Sequence, residues 1–416
     1  MISQFLISAP YSSAGKTTVT LGLLRALHRR GLAVQPFKCG PDFIDPIHHR
    51  TAAGRDSINL DRYMMSDEHI QYLYATRSAD VEVSITEGVM GLFDGAVKSQ
   101  GSTADLARLL GLPVILVLDA RAMAYTAAPI LYGLRYFDPD LQVVGVVFNF
   151  VEFEGHYQLL REAAADAGVT ALGYLPENPN MHIPSRQLGL ETTDAESAIE
   201  AAADHIEKHL DVDQFLRLTQ ATIQPVKTDA TARIPTRSLN ILIAKDAAFH
   251  FLYPENIHRL EELGTIHYFS PLKDSRLLEN VGLIYLPGGY PELYLPELSA
   301  NTPLLNALRS YAAGGGKILA ECGGMMYLGD SITDRSGTPY EMAGIIELRT
   351  TMEDQGFSLG YRTISLPGGT ARGHEFHYSR AIGAAPDIYR SRGILASYMH
   401  FYWGEDHQFL DNWLAS

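Results

Sequence analysis

The sequence predicts an α/β protein of two domains, and three observations carry that prediction. From residue 1 to about 218, short apolar runs alternate with helical patterns, which is typical of a parallel sheet covered by helices on both faces. A second α/β pattern begins at residue 239 and continues to 416. Between the two, residues 219–238 have no hydrophobic period and are rich in Thr, Pro and charged side chains, so we predict a linker there.

In the first domain, hydrophobic periodicity places the elements in order. Buried strands are predicted at QFLISAP, GLAVQPFK, VEVSITEG, PVILVLDA and VVGVVFNFV. Helices are predicted at TTVTLGLLRALHRRG, where Gly31 is expected to end the helix, and at HYQLLREAAADAG. In the second domain, LNILIAKD, VGLIYLPGG and KILAECGG read as strands, and LLNALRSYAAGGG reads as a helix that stops at glycine.

Charge and composition exclude several classes of protein. The chain has 33 Lys and Arg against 48 Asp and Glu, a formal net charge of −15, which argues against nucleic acid or anionic membrane as a main partner. No apolar run reaches the roughly 18 residues that a membrane span needs, and MISQFLISAP lacks the features of a signal peptide. With only Cys39 and Cys322, a disulfide framework is excluded and a reducing cytoplasm is the expected location.

The segment APYSSAGKTT, residues 9–18, joins the first strand to the first helix and predicts a phosphate-binding loop. A helix N-terminus directs N–H groups and a positive dipole end at an anion. Gly15 lets the backbone approach the phosphates, Lys16 offers a positive charge, and the Thr17 hydroxyl can bind Mg²⁺. The predicted nucleotide contacts are Ser12, Ser13, Ala14, Gly15, Lys16, Thr17 and Thr18. The alternative is a turn that only starts a helix.

Carboxylates follow two other strands and are expected to face this loop. KCGPDFIDP carries Asp42 and Asp45, and SITEGVMGLFDG places Glu87 at the end of a strand. Since ligands of open parallel sheets collect at the carboxyl ends of strands, we predict Thr17, Asp42 and Glu87 as ligands of Mg²⁺. The alternative for each acid is a surface loop or a helix cap. Asn149, after VVGVVFNF, is a candidate to read an adenine edge, with an ordinary turn as the alternative.

A second candidate site combines a thiol with a histidine. In KILAECGGMMYL, Cys322 falls at a sharp turn between a strand and a helix, which is the geometry of a nucleophile elbow. The backbone N–H groups of Gly288, Gly289 and Gly323 are candidate donors to an oxyanion, and His400 in ASYMHFYW is the candidate base. The helix N-terminus is expected to lower the pKa of the thiol. A buried structural cysteine and a core-edge histidine are the alternatives.

The second domain resembles a glutamine amidotransferase of the triad type, with Cys322 as nucleophile and His400 as its activator. That type usually has a glutamate two positions after the histidine. This sequence has Tyr402 there, which resembles a subgroup that works with a Cys-His pair, and Glu405 is an alternative acid.

The first domain resembles the phosphate-loop ligases of the dethiobiotin synthetase type, and both domains together resemble the cobyrinic acid a,c-diamide synthase family. The likeness covers essentially the whole chain. Its most specific segments are KCGPDFIDP, NLDRYM, EGVMGLFDG, DAAFHFLYPEN, FSPLKD, GGYPELY, AECGGMMYL and GHEFHYS. It implies an ATP-dependent amidoligase domain at 1–218 and a class I-like glutamine amidotransferase α/β domain at 239–416.

The sequence departs from this family at three positions. The loop of the family typically begins Ala-Pro, so Pro10 is normal, but Ser13 stands where the family usually has glycine. In IPSRQLGL, Ser185 and Gln187 replace a glutamate and a histidine. These departures bear on the fit of the substrate.

The resemblance implies a carbon–nitrogen ligase of cobalamin biosynthesis that amidates the a and c acetate carboxylates of cobyrinic acid. ATP would convert each carboxylate into an acyl phosphate, which ammonia released from L-glutamine would attack. Lys16 and Mg²⁺ would stabilise the transferring phosphoryl group, and Asp45 would contact the substrate or the intermediate. His374, His377 and Arg380 are candidates to bind the polyacid.

Several alternatives stay open from the sequence. Nickel-sirohydrochlorin or hydrogenobyrinic acid would suit the same motifs, and cobyric acid synthase shares the two-domain arrangement. An ATPase with a non-catalytic docking domain is a different class, against which the thiol elbow argues. A homodimer stays open among the oligomeric states.

Overall fold

The computed structural model describes residues 2–182, 192–222, 239–353, 356–366, 369–383, 385–391, 393–405 and 408–415. The chain divides into two compact units, Met1–Asp229 (unit 1) and Ala230–Ser416 (unit 2). Ser185, Gln187 and residues 223–238 of the predicted linker lie outside the described residues.

Unit 1 is built on one sheet. Its strands are β1 Ile2–Ser8, β2 Val34–Cys39, β3 Ile58–Leu60, β4 Val83–Glu87, β5 Val114–Asp119, β6 Val143–Asn149, β7 Thr170–Leu175 and β8 Gln220–Ala221. Seven of them run parallel in the order β3-β2-β4-β1-β5-β6-β7, and β8, at the start of the predicted linker, pairs antiparallel with β1. The strands are rich in Val, Ile and Leu and almost wholly buried, as expected for a parallel sheet covered on both faces.

Helices cover the sheet of unit 1. They are α1 Lys16–Arg29, α2 Asp45–Ala53, α3 Asp67–Arg77, α4 Thr103–Leu110, α5 Ala127–Tyr136, α6 Glu154–Asp166, α7 Thr192–His209 and α8 Val212–Leu218, with a 3₁₀ turn at Pro179–Met181. The apolar faces of α1 and α7 contribute to one core, and Arg25 of α1 pairs with Glu196 of α7 at 2.7 Å. Gly31, at φ 80°, follows the end of α1 and donates its N–H to His28 O at 2.9 Å, so the predicted glycine stop is confirmed.

The order of the strands decides where the polar residues of unit 1 meet. β1 lies between β4 and β5, and β4 lies between β1 and β2. The carboxyl ends of these parallel neighbours therefore share one edge of the sheet. The loop after β1, the acids after β2 and the end of β4 are brought together there by topology alone.

Unit 2 contains three sheets within the described residues. Its strands are β9 Leu239–Ala244, β10 Gly264–Phe269, β11 Leu283–Leu286, β12 Ile318–Glu321, β13 Ser331–Thr333, β14 Pro339–Glu341, β15 Arg349–Thr351, β16 Ser358–Leu366, β17 Gly369–His377, β18 Arg380–Ala381, β19 Tyr389–Ser391, β20 Ile394–Ser397 and β21 His400–Tyr402. The main sheet has the order β10-β9-β11-β12-β20-β19, in which only β19 is antiparallel to its neighbour. The smaller sheets have the orders β14-β13-β15-β18 and β16-β17-β21.

The main sheet of unit 2 separates two apolar clusters. Along β11, Ile284 and Leu286 belong to one cluster and Leu283 and Tyr285 to the other, because successive side chains of a strand point to opposite faces. The helices are α9 Pro254–Leu263, α10 Leu295–Ala300, α11 Thr302–Ala313, α12 Gly323–Leu328 and α13 Gln408–Ala415, with a 3₁₀ turn at Pro291–Leu293. Within the described part of the chain, no helix is long and apolar enough to cross a membrane.

Candidate active sites

The predicted phosphate-binding loop lies between β1 and α1, where Gly15 precedes the helix at φ 101°. A Cβ on Gly15 would lie 2.1 Å from Asn149 Nδ2, so this position has no room for a side chain. Ser12 and Ser13 are exposed, Ala14 is buried, and Thr17 and Thr18 are partly exposed. Ser13 has φ of 68°, in the left-handed region that glycine enters at least cost, so a serine at this position strains the backbone of the loop.

Lys16 is buried, and its side chain reaches the loop that follows β4. Nζ donates to Met90 O at 2.6 Å and to Tyr11 O at 3.3 Å. The same two loops are joined by a hydrogen bond from Leu92 N to Ala9 O at 2.9 Å. The structure therefore places the β4 loop directly against the predicted phosphate loop.

Asn149 has a different surrounding from the one expected. Its Nδ2 donates to Ala14 O at 3.0 Å, its Oδ1 accepts from Phe150 N at 3.1 Å, and only 5% of the residue is exposed. Both amide atoms are thus engaged inside the protein. The structure shows that Asn149 supports the phosphate loop, a contact that the sequence did not reveal, and its expected contact with adenine stays a prediction.

Glu87, at the end of β4, is fully buried beneath the loop and is the centre of a polar network. Its Oε1 accepts from Thr17 Oγ1 at 2.7 Å and from Lys38 Nζ at 2.9 Å. Its Oε2 lies 2.7 Å from His49 Nε2, and the other ring nitrogen of His49 lies 2.9 Å from Ser57 Oγ. The carboxylate is therefore held in one orientation from both sides.

Lys38, the last residue but one of β2, joins the predicted acids. Its Nζ lies 2.5 Å from Asp45 Oδ2 and 4.0 Å from Asp42 Oδ2, and the residue is 2% exposed. Burial by itself would lower the pKa of Lys38, but the charges of Asp45 and Glu87 outweigh it and raise that pKa above its ordinary value. Burial would raise the pKa of Glu87, yet Lys38 and His49 hold it well below its usual range. Lys38 and Glu87 are therefore both charged, and the lysine lies among three carboxyl side chains.

Asp42 and Asp45 both contact other groups of the protein. Asp42 Oδ1 accepts from the N–H groups of Ile44 at 2.8 Å and Asp45 at 3.1 Å, which is the contact of a residue capping a helix start. Asp45 is 4% exposed and pairs with Lys38, so the structure places it against the lysine. Its expected contact with substrate or intermediate stays a prediction.

The residues present fit a bound Mg²⁺. The Thr17 hydroxyl and the Glu87 carboxylate lie within 2.7 Å of each other, and both are the hard oxygen ligands that Mg²⁺ prefers. Within the described residues, no group of three His, Cys, Asp or Glu side chains has the geometry of a metal site made by protein alone. Mg²⁺ usually keeps several waters and takes one or two protein ligands plus substrate phosphates, so this is the donor set expected beside a nucleotide.

Cys322, in unit 2, stands at the turn between β12 and α12. Its backbone has φ of 46° and ψ of −109°, a strained conformation for a residue with a side chain. The Cys322 N–H donates to Ser397 O on β20 at 2.8 Å, which ties the turn to the sheet. The observed strand, strained turn and helix match the geometry of a nucleophile elbow.

The three predicted oxyanion glycines surround this turn and leave no room for side chains. A Cβ on Gly288 would lie 2.2 Å from His400 Cε1. A Cβ on Gly323 would lie 2.8 Å from Pro291 Cδ and 3.3 Å from Gly289 N. The backbone of Gly289 therefore lies directly beside the turn that carries the nucleophile, where paired N–H donors to an oxyanion would be needed.

His400 begins β21 and is 1% exposed. Its ring stacks on the ring of His374 with centroids 5.1 Å apart, and its Nδ1 lies 4.0 Å from Glu321 Oε2. Burial lowers the pKa of His400 well below its ordinary value, and the neighbouring His374 and His377 lower it further. His400 is therefore a neutral imidazole, the form that can accept a proton.

The structure overturns the expectation that the thiol pKa is lowered. Burial raises the pKa of Cys322, and the negative charge of Glu292 raises it further. α12 spans six residues, and its N-terminal dipole does not outweigh these two effects. The resting nucleophile is a thiol rather than a thiolate.

Glu321 is the acid that the structure places beside His400, and the sequence analysis missed it. Its Oε2 accepts from Tyr285 O–H at 2.9 Å and its Oε1 from Phe401 N–H at 3.2 Å. Burial raises the pKa of Glu321 to about 8. The position two residues after His400 holds Tyr402, but a carboxylate comes from β12 instead. The feature of the sequence that could have indicated this role is the position of Glu321 directly before the nucleophile.

The stretch GHEFHYSR belongs to this site. His374 is 3% exposed, and Tyr253 O–H lies 3.2 Å from its Nδ1. His377 lines the pocket that contains Cys322. The structure thus places both histidines around the thiol site, whereas Arg380 is exposed. The binding of a tetrapyrrole polyacid by this stretch stays a prediction.

The two sites define a class: ligases in which a nucleotide-binding unit is joined to a glutamine amidotransferase unit. Comparison with known families agrees. Residues 5–190 match the model of the CobQ/CobB/MinD/ParA nucleotide binding domain, and residues 240–408 match that of the CobB/CobQ-like glutamine amidotransferase domain. The predicted fold class is therefore confirmed.

Similar proteins identify the family. The chain is 41% identical to hydrogenobyrinate a,c-diamide synthase of Brucella abortus, over 91% of this chain and 89% of that protein. It is 38% identical to cobyrinate a,c-diamide synthase of Salmonella typhimurium, over 99% and 97% of the two chains. It is 39% identical to the cobyrinate a,c-diamide synthase of Picrophilus torridus, over 100% and 99%. The chain belongs to the a,c-diamide synthase family, as its sequence motifs predict.

Proposed function

We propose that this protein uses ATP and glutamine to amidate the a and c acetate carboxylates of cobyrinic acid, with hydrogenobyrinic acid as the alternative substrate. The observation that carries the proposal is the presence, in one chain, of a loop-and-carboxylate network for phosphoryl transfer and a thiol elbow with a neutral histidine. The relatives named for both substrates support this choice of acceptor.

In unit 1, the reaction begins by activating a carboxylate, which is a poor electrophile. A carboxylate oxygen bonds to the γ-phosphorus of ATP, the bond from that phosphorus to the β–γ bridging oxygen breaks, and ADP leaves. Lys16 and the N-terminus of α1 stabilise the charge on the transferring group. Lys38 adds a positive charge that Asp45 and Glu87 hold in place.

Thr17 and Glu87, with Asp42 as a further candidate, would hold Mg²⁺. When bound, the ion supplies Lewis-acid stabilisation of phosphate charge. The hydrogen bonds from Lys38 and His49 to Glu87 keep its carboxylate oriented toward Thr17. Asn149 fixes the loop at Ala14.

In unit 2, glutamine is the source of nitrogen. The sulfur of Cys322 bonds to the side-chain amide carbon, and its proton passes to His400. The N–H groups of Gly289 and Gly323 stabilise the oxyanion. The proton then moves from His400 to the leaving nitrogen, ammonia departs, and a thioester remains. Water hydrolyses the thioester to glutamate and frees the thiol.

Glu321 is proposed to orient His400 and to stabilise the imidazolium that forms when His400 takes the proton from sulfur. Its carboxyl is fixed by two donors, Tyr285 and Phe401, and the nearest His400 nitrogen is 4.0 Å away. It therefore acts through the histidine and does not touch the substrate.

The amide donor separates the two sites experimentally. Cys322→Ala is expected to lose amidation with glutamine and to keep amidation with added ammonium. Lys16→Ala is expected to lose amidation with both donors. Loss of both activities in the cysteine variant, or normal ATP turnover in the lysine variant, would contradict the assignment.

The acceptor is identified by mass. The protein is incubated with ATP, Mg²⁺, glutamine and each of cobyrinic, hydrogenobyrinic and nickel-sirohydrochlorin acids, and conversion of two carboxylates to amides identifies the substrate. A docking-domain protein would release no glutamate in this assay. We further propose a cytoplasmic location and a homodimer, and light scattering tests the second.

A further inference from the structure

A pocket beside Cys322 contains one charged side chain. Its lining includes Phe251, Met352 and Phe376. Glu292 is the only acidic or basic residue, apart from His377, among the described lining residues. Burial lowers the pKa of His377, which leaves it neutral. The pocket is therefore apolar and aromatic, with a single negative charge.

Glu292 is held close to the nucleophile by the backbone. It is the middle residue of the 3₁₀ turn Pro291–Leu293, directly after the oxyanion glycines. The ring of Pro291 packs so tightly on the nucleophile's turn that a Cβ on Gly323 would lie 2.8 Å from Pro291 Cδ. Glu292 and Cys322 thus line the same pocket, on two turns that pack against each other at Pro291 and Gly323.

Burial acts more strongly on this carboxyl than the protein groups that stabilise its charge. Burial raises the pKa of Glu292 to about 7, although a hydrogen bond from its own backbone N–H and the charge of the exposed Arg335 act in the opposite direction. No basic side chain other than His377 stands among the described residues that line the pocket. A carboxyl in such a pocket is stabilised by a ligand that brings a cation.

The same carboxyl disfavours ionisation of the Cys322 thiol. The negative charge of Glu292 raises the pKa of Cys322, after burial itself. A protein that needs a thiolate for catalysis would gain nothing from this arrangement in its empty state. The effect of Glu292 on the thiol pKa is cancelled when a positive group enters the pocket between the two side chains.

We propose that Glu292 is the subsite for the α-ammonium group of glutamine, so that the bound amino acid switches on its own nucleophile. Glutamine carries an ammonium group at its α-carbon and the reactive amide at the other end. When the ammonium pairs with Glu292, the negative charge facing Cys322 is cancelled and ionisation of the thiol becomes easier. Without the ligand, the thiol stays protonated and unreactive. This inference rests on the proposed function of unit 2.

The test compares glutamine with 4-carbamoylbutyrate, which has the same amide and carboxylate but no ammonium group. A buried charge-assisted hydrogen bond corresponds to roughly a 10- to 150-fold preference for glutamine in kcat/KM for amide hydrolysis. Glu292→Gln is expected to lose most of this preference, and Glu292→Asp to keep part of it. Glu297→Gln changes an exposed acid five positions further on and should keep the full preference.

A second measurement follows the thiol without turnover. The rate of alkylation of Cys322 by iodoacetamide is measured against pH, with the modified peptide separated from that of Cys39. Glu292→Gln is expected to lower the apparent pKa of the thiol. The substitution leaves in place the other titratable groups that act on the thiol or line its pocket: Glu321, Glu375, Tyr290, Tyr378, Tyr398 and His377.

The outcomes are separable. If the wild-type protein releases no glutamate from glutamine, the proposed function of unit 2 fails. If the wild type is active and folded Glu292→Gln keeps both the preference for glutamine and the thiol pKa, only the ammonium subsite is overturned. If Arg335→Gln abolishes the preference as fully as Glu292→Gln does, the Glu292 carboxyl acts as a partner of Arg335 and not of the ligand. The inference then also fails.

Discussion

Replacing Glu321 with Gln should cripple glutamine hydrolysis while leaving the nucleotide site intact. The substitution keeps the size of the side chain and removes its negative charge. In the structure, this carboxyl is buried and its Oε2 lies 4.0 Å from Nδ1 of His400. The charge matters when His400 becomes an imidazolium, because no solvent screens the pair at that depth.

The size of the effect follows from the geometry. Two unit charges 4.0 Å apart interact by about 4 kcal/mol at an effective dielectric constant of about 20. Since the pKa of Glu321 is about 8, ionising it at about pH 7 costs about 1.4 kcal/mol. The remainder, about 2.6 kcal/mol, corresponds to roughly a 100-fold fall in kcat.

Release of glutamate from glutamine measures kcat and KM in one experiment. We expect kcat to fall about 100-fold and KM to change little, since Glu321 acts through His400. Amidation with ammonium should be unchanged. Tyr285→Phe is the matched control, because it removes one donor to the carboxyl and keeps the charge, so its loss should stay under about tenfold. A glutaminase kcat in Glu321→Gln within threefold of the wild-type value would refute this reasoning.

The same residue also sets a pH dependence of stability. The folded protein keeps a proton on Glu321 up to about pH 8, whereas the unfolded chain releases it near 4.5. Between these values, the folded state binds more protons, so its stability falls as pH rises, by up to about 1.4 kcal/mol per pH unit. Denaturant unfolding from pH 5 to 8 should show a shallower fall for Glu321→Gln, and parallel curves would exclude the raised pKa.

Other substitutions test the remaining contacts. Gly288→Ala should abolish glutaminase activity and spare ammonium-dependent amidation, because its Cβ would lie 2.2 Å from His400 Cε1. Gly133→Ala is the control: Gly133 has open space around it, so this substitution should change neither activity. Lys38→Met leaves buried carboxylates uncompensated and should destabilise the protein by about 3–5 kcal/mol in denaturant unfolding, and a loss below 1 kcal/mol would contradict the charged network. Ser13→Gly removes a left-handed strain of about 1–2 kcal/mol and should lower KM for ATP without lowering stability; a raised KM would show that the serine aids nucleotide binding.

The parts of the account that the sequence predicts well share one property: they depend on residues close together in the chain. The loop from Pro10 to Thr17 carries its strand, glycine and helix start within one short segment. The turn at Cys322 does the same. The sequence also predicts that acids at the ends of parallel strands lie close together, since the carboxyl ends of neighbouring parallel strands share one edge of the sheet.

What the sequence analysis missed depends on separate elements. Lys38 and His49 become partners of Glu87 only because β2 and β4 are adjacent and α2 packs beside them. Glu321 faces His400 only because β12 and β21 meet at the site. A lysine within a strand or a histidine within a helix carries no local signal of such a role.

One expectation failed because of burial. The α12 dipole was expected to lower the thiol pKa of Cys322, but desolvation together with Glu292 acts more strongly in the opposite direction. The contact of Asn149 with the phosphate loop was also missed, because the close approach of Gly15 and Asn149 is made only in the packed fold. Burial is a property of the packed fold, and a single strand-end residue does not reveal it.

The central claim is that one chain transfers the amide nitrogen of glutamine to two carboxylates. The most direct test supplies [amide-¹⁵N]glutamine, ATP, Mg²⁺ and cobyrinic acid, with unlabelled ammonium present, and reads the mass of the product. We predict that ¹⁵N enters both new amides of the wild-type product, beyond the share that free ammonium supplies, and that Cys322→Ala gives a diamide with only unlabelled nitrogen. Wild-type product without any ¹⁵N, or labelled product from the variant, would contradict the claim.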